Sequence, residues 1–146
     1  MNGPYLGGSN AALFTDLYQL TMAQAYVAED MFEPATFSLF FRHLPDDRNF
    51  ILACGIDEVA DFLCDLRFDA DDLQWLRGTG RFSDAFLDYL AAFRFRGELV
   101  GLGDGTPVFP NQPLLEITAP IPEAQIVETW VMNQMHVQSV LATKAA

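Results

Sequence analysis

The stretch Thr15-Asp16-Leu17-Tyr18-Gln19-Leu20-Thr21-Met22 holds the residues whose types and spacing could do chemistry. On a helix, Tyr18 shares the apolar side of Phe14, Thr15 and Met22, close to the helix start. A tyrosine there joins a flat ring to a polar tip, which suits stacking on a planar heteroaromatic ligand. A plain core role accounts for the same spacing and, on spacing alone, is the stronger account. Asp16 could help to place the ring, and helix capping explains it equally well. Other chemistry has less support. His43 follows a strand and is expected at the surface, whereas His136 falls within an apolar helix and is expected as a hydrogen-bonded interior residue. Neither sits in a nucleophile-elbow or HExxH pattern. Asp71-Asp72 could ligate a metal, but a first helical turn accounts for both carboxylates, and no metal site is expected. Asp46-Asp47 lacks the flanking sequence of a ribose-binding acidic pair. Gly101, Gly103 and Gly105 have the wrong spacing for a dinucleotide loop, and a strand follows where a helix should. Cys54 and Cys64 form neither a CxxC pair nor a disulfide framework and read as reduced core thiols.

Charge narrows the partners. The 146 residues carry 8 Lys+Arg against 20 Asp+Glu, a net charge of −12, and Lys144 is the sole lysine. Such a surface repels phosphate backbones and anionic lipid, so neither nucleic acid nor membrane is an expected partner. The chain is 51% hydrophobic and 19% charged, enough apolar material for one packed core and too little charge for disorder. The Gly-rich start has no basic residue and is not a secretory signal, which places the protein in the cytoplasm.

The elements that must position these residues follow from periodicity. Residues 1–12 read as a flexible lead. Asp16 with Gln19 resembles a capping box opening a first helix. Ala35 to Arg42 reads as a buried strand. Helices are expected after Gly55, after Asp69 and after Ser83, the last with Phe86, Leu87, Leu90 and Phe93 on one face. Glu98–Leu102, Thr106–Phe109 and Leu114–Thr118 read as strands of one small antiparallel unit, separated by Gly103-Asp104-Gly105 and Pro110-Asn111-Gln112-Pro113 turns. A long helix then starts at Pro122 and carries three charges, Glu123, Glu128 and Lys144, so most of its circumference expects burial. With no Gly, Asn or Pro to stop it, that helix reads as cut short, and Val127, Trp130, Val131 and Leu141 are expected to form a sticky surface. The fold class is α+β.

TDLYQLTMAQAY (15–26) resembles the N-terminal signature of the nicotinate phosphoribosyltransferase family. FSLFFRHLP (37–45) is similar to the family's Phe-rich strand, residues 86–129 to its small β domain, and VQSVLATKAA (137–146) to the helix that leads into its α/β barrel. The resemblance implies that residues 13–146 are the N-terminal domain, truncated before the barrel. It implies glycosyltransferase chemistry coupled, like a ligase, to ATP with Mg. Nicotinate and phosphoribosyl pyrophosphate would give nicotinate mononucleotide and pyrophosphate, a step of NAD salvage in a homodimer. Tyr18 matches the family tyrosine that contacts the nicotinate ring in a neighbouring subunit's barrel, Asp16 would help place it, and Lys144 could contact phosphate. The phosphorylated histidine of the family lies in the barrel, so no catalytic residue is assigned here. This segment alone is expected to be inactive and to need no cofactor of its own. Alternatives are a nicotinamide or quinolinate phosphoribosyltransferase, or a non-catalytic module docking on a barrel-containing partner.

Overall fold

The structure, a computed structural model, describes residues 11–146. The lead expected over residues 1–12 falls mostly outside the described residues; within them, Ala12 is buried against the core. The chain runs α1 (Leu17–Ala28), β1 (Pro34–Leu39), β2 (Ile51–Leu52), α2 (Ile56–Asp65), α3 (Ala70–Gly78), α4 (Asp84–Ala91), β3 (Glu98–Gly101), β4 (Pro107–Val108), β5 (Leu115–Pro120) and α5 (Ile121–Ala145). The class is α+β, as the periodicity implies.

The β strands are arranged differently from the expected single unit. β5 is the centre of a three-stranded antiparallel sheet, with β1 on one edge and β3 on the other. Phe37 and Leu99 both face Ile117 across it, and Thr36 pairs with Thr118 through their hydroxyls at 2.8 Å. β4 leaves this sheet to pair with β2, Ile51 opposite Val108. The turn between β3 and β4 explains the departure. Asp104 Oδ1 accepts the Gly55 N–H at 2.9 Å, and the Gly105 N–H donates to the Ala53 carbonyl at 2.8 Å. These bonds tie the turn to the 53–55 segment and pull β4 toward β2. β1 alternates between exposed and half-buried residues instead of being enclosed, because only one of its faces meets the core.

Local sequence chemistry sets the helix starts. Asp69 Oδ1 accepts the N–H groups of Asp71 and Asp72, both at 2.9 Å, while Asp72 Oδ2 takes the Asp69 N–H at 3.1 Å. This is a complete capping box, and it accounts for the acidic pair structurally. Ser83 Oγ accepts the Phe86 N–H at 3.2 Å and caps α4. Phe93 lies beyond the end of α4 but is still buried, edge-on to Phe68. At α1 the expected capping box is not formed. Asp16 is extended at the N-cap but makes no side-chain cap, and its carboxylate turns instead to α5.

α5 organises the rest. From Pro122 to Val127 every residue is buried, and burial then becomes periodic through Met135, Ser139 and Thr143. Three of the four residues expected to form a sticky surface are therefore inside: Val127, Trp130 and Val131 are buried, with Trp130 stacked on Phe62 at a centroid distance of 3.8 Å. Leu141 alone of the four is exposed. The cysteines are not core thiols either, since Cys64 is exposed and Cys54 half-buried.

A fully buried carboxylate sits at the start of this helix. Glu123 Oε2 accepts the Arg96 backbone N–H at 2.7 Å, and Oε1 accepts Arg96 Nε at 3.0 Å and Nη2 at 2.8 Å. Beside it, Tyr89 packs among Phe32, Phe86 and Phe93. Its hydroxyl is a buried polar atom with no hydrogen-bond partner among the described residues. Burial pushes the Tyr89 phenol up to about 12, the Glu123 charge adding to the rise and Arg96 opposing it.

Folded Tyr89 thus keeps its proton above pH about 10, where an unfolded tyrosine loses it. The stabilisation is fully present below that pH and is lost as pH rises toward about 12. Tyr89→Phe is expected to flatten this alkaline loss. It should leave neutral-pH stability unchanged or raise it by up to about 1 kcal/mol, since the hydroxyl it removes is unpartnered. Denaturation midpoints taken on both sides of pH about 10 check this.

Candidate functional site

Tyr18 is not a core residue. It is 63% exposed, with Phe14 and Leu17 exposed beside it, while the opposite face of α1 buries Gln19, Leu20 and Ala23. The ring and its phenol are free to meet a ligand or another surface. The segment that carries it is tied to the first half of α5. Thr15 Oγ1 donates to the Ile126 carbonyl at 3.5 Å, and Thr129 Oγ1 donates to Asp16 Oδ2 at 3.4 Å. Gln125 Nε2 donates to Gln19 Oε1 and, at 2.8 Å, to Glu128 Oε2. Asp16 thus bonds to α5 and does not cap α1 with its side chain.

Lys144 is exposed in the last turn of α5. It lies 15 residues beyond Thr129, the α5 partner of Asp16, which at the α-helical rise is about 22 Å along the axis. Within one chain, Lys144 and Tyr18 do not form one site. Lys144 instead lines a groove of about 320 Å³ with His43, Arg48 and His136 over an apolar floor that includes Phe41, Ile51 and Met135. His43 is exposed as expected. His136 is exposed too, against the interior role read from its helix: burial in this half of α5 follows Met135, Ser139 and Thr143, and His136 stands at the edge of that stripe, on the groove. Sequence reasoning missed Arg48 altogether. No motif surrounds it, and its Nη1 donates to the Thr143 carbonyl at 3.0 Å only because the fold returns the 45–50 loop to the end of α5. Arg48 and Lys144 both complement the negative end of the helix dipole, and that same dipole disfavours an anion there.

These residues do not fit ATP with Mg. Among the described residues no group of three His, Cys, Asp or Glu is placed to hold a metal ion. Asp69 and Asp72 are already engaged in capping α3. No described helix is long and apolar enough to cross a membrane. Fold and site thus define an α+β domain that presents an aromatic ring on a tethered helix start.

Residues 13–136 match the family model for the nicotinate phosphoribosyltransferase (NAPRTase) N-terminal domain. The chain is 56% identical over 135 residues to nicotinate phosphoribosyltransferase pncB2 of Mycobacterium tuberculosis, covering 92% of this chain and 29% of the relative. It is 36% identical over 136 residues to the nicotinate phosphoribosyltransferase of Bacillus subtilis, covering 92% and 28%. The crystal structure of human nicotinic acid phosphoribosyltransferase superposes with a TM-score of 0.80 at 34% identity, over 90% of this chain and 27% of that one. A nicotinate-nucleotide pyrophosphorylase from Pyrococcus furiosus shares the fold, with a TM-score of 0.63 at 17% identity, over 92% of this chain and 28% of that one. The chain belongs to the nicotinate phosphoribosyltransferase family and corresponds to its N-terminal domain. It spans about three tenths of the length of the curated relatives it matches.

Because Tyr18 is exposed and the described hydrogen bonds of its turn run through neighbouring residues, Tyr18→Ala is expected to change folding stability by less than about 0.5 kcal/mol. Thermal denaturation of the variant beside the unaltered protein checks this.

Proposed function

We propose that this chain serves as the N-terminal domain of an enzyme that joins nicotinate to phosphoribosyl pyrophosphate, yielding nicotinate mononucleotide and pyrophosphate, with the step coupled to ATP. The observation that supports it is the exposed Tyr18 ring within a family-type TDLYQLTM helix, tied at its start to α5. An unpartnered ring and phenol are suited to stack on a pyridine carboxylate, and the proposed acceptor is the barrel of a neighbouring subunit in a homodimer. ATP and Mg are assigned to parts of the enzyme outside this chain, whose acidic surface and committed carboxylates do not suit polyphosphate. Lys144 is a weaker candidate for phosphate contact, since it sits about 22 Å along α5 from the Tyr18 turn. The reading places the reaction in NAD salvage and the protein in the cytoplasm. On this account the chain by itself is inactive, because nothing among the described residues supplies an adequate anion site.

The test compares nicotinate, nicotinamide and quinolinate as substrates of the full-length enzyme, following pyrophosphate release with and without ATP. Nicotinate-dependent, ATP-stimulated release is expected, with the isolated 146-residue chain silent. Preference for either of the other pyridines would move the assignment to the corresponding transferase. Stacking of this kind is worth about 0.5–1.5 kcal/mol, so Tyr18→Ala is expected to raise the KM for nicotinate up to about tenfold, and Tyr18→Phe much less.

A further inference from the structure

α1 buries a glutamine and exposes a tyrosine on adjacent positions. Apolar residues lie on all its sides, Leu17, Leu20, Met22, Ala23, Ala25 and Val27 among them, so apolar burial alone gives it little preference for one rotation. The observed rotation buries Leu20 and Ala23, and Gln19 goes inside with them. Gln19 is 4% exposed and Tyr18, the residue before it, 63%. Neighbouring helical residues differ by about 100° around the axis, so a rotation of α1 by that angle in one sense would carry Tyr18 into the buried position Gln19 holds and take Gln19 away from α5.

The polar side chains of the α1–α5 interface hold the observed rotation. Gln125, 5% exposed, donates from Nε2 to Gln19 Oε1, so the two amides meet inside the interface. Glu128 Oε2 accepts from the same nitrogen at 2.8 Å. A carboxylate can only accept, so Glu128 fixes which end of the Gln125 amide points toward α1. Rotating Gln19 away would leave the Gln125 amide buried with one of its two partners gone, and an unmade buried hydrogen bond is costly. A single polar contact in an otherwise apolar helix pair sets register in the same way elsewhere.

We infer that Gln19 and Gln125 are positioning residues: their buried amide pair sets the rotation of α1 and thereby turns Tyr18 outward toward the ligand. This rests on the reading of Tyr18 as the nicotinate-stacking ring. Neither glutamine touches the ligand.

The experiment uses the full-length enzyme with Gln19→Leu, Gln125→Leu, the double variant, Tyr18→Ala, and Gln125→Leu combined with Tyr18→Ala. Each glutamine variant is expected to raise the KM for nicotinate up to about tenfold, the ceiling set by loss of the ring, with kcat nearly unchanged and the thermal midpoint lowered in the single variants by the amide left unpaired. The double glutamine variant should be no worse than either single one, and Gln125→Leu should add nothing once Tyr18 is alanine. Unchanged KM in the glutamine variants, while Tyr18→Ala raises it, overturns the inference and leaves the Tyr18 reading standing. An additive effect of Gln125→Leu on top of Tyr18→Ala also overturns it, since the glutamine would then act by another route. An unchanged KM in Tyr18→Ala removes the reading and the inference with it. Should the leucine variants fail to fold, Gln19→Met and Gln125→Met, closer in shape to glutamine, are read by the same criteria.

Discussion

A helix enclosed over its first turns has no water to satisfy its polar side chains, and this constraint on α5 governs the rest of the molecule. Glu123, Gln125, Thr129, Ser139 and Thr143 are all buried on it. Each must therefore be met by a neighbouring element. Glu123 takes Arg96, just before β3; Gln125 takes Gln19 of α1; Thr129 takes Asp16. Farther along, Ser139 Oγ accepts the Cys54 N–H at 3.1 Å and Thr143 Oγ1 the Leu52 N–H at 2.9 Å, holding β2 and the start of α2. Apolar contacts supply the bulk of the stability. These polar pairs fix where along α5 each element sits, because a shift by one residue would leave a buried group unpaired.

The Glu123–Arg96 pair shows how far that constraint reaches. Glu123 is wholly buried, whereas most of the Arg96 side chain remains in solvent. The pair therefore avoids burying two charges, and the carboxylate's remaining demand is met by the Arg96 backbone N–H. That backbone bond sets the entry of the chain into β3. Next to it, Gly97 has no room for a side chain: a Cβ there would lie 2.6 Å from the Thr118 carbonyl oxygen and 2.6 Å from Ala119 Cβ. The close approach of the 96–97 segment to β5 and the bond to α5 are two parts of one joint, at which the three-stranded sheet meets the helix.

Much of this was legible in the sequence, and the parts that were not share a cause. Asp69 and Ser83 announced α3 and α4 because caps are local chemistry, and Pro122 announced α5 for the same reason. β1, β3, β4 and β5 were recognisable one by one, whereas the two-residue β2 left no signal. Their partners were not, because the Asp104 bond to Gly55 spans 49 residues and leaves no periodic trace. Gln19 was misread as half of a capping box for a related reason: its side chain is claimed by Gln125, 106 residues away. Tyr18 was judged by hydrophobic spacing to be a core residue, and spacing is a poor guide on a helix with apolar residues on every side. His136 failed in the same way, on a helix whose enclosure ends after Val131. Arg48 carried no local signal whatever.

The exposure of Tyr18 is a consequence of what its neighbours bury. α1 shows Leu17 and Tyr18 to solvent, with Phe14 exposed just before it, while it hides a glutamine beside Leu20 and Ala23, an arrangement that apolarity alone does not select. Sequence rules that rank residues by apolarity must fail at such a place, since the ranking is overridden by a polar pair whose second member lies on another helix. The local inconsistency is itself informative. Where a chain conceals an amide and displays an aromatic ring on adjacent positions, apolarity alone does not account for the choice, and departures of this kind gather at functional surfaces. The family signature directs attention to the same residue by a separate route. The fold explains why that residue stands clear: the polar partners of α5 decide the rotation of α1, and the rotation decides which ring faces out.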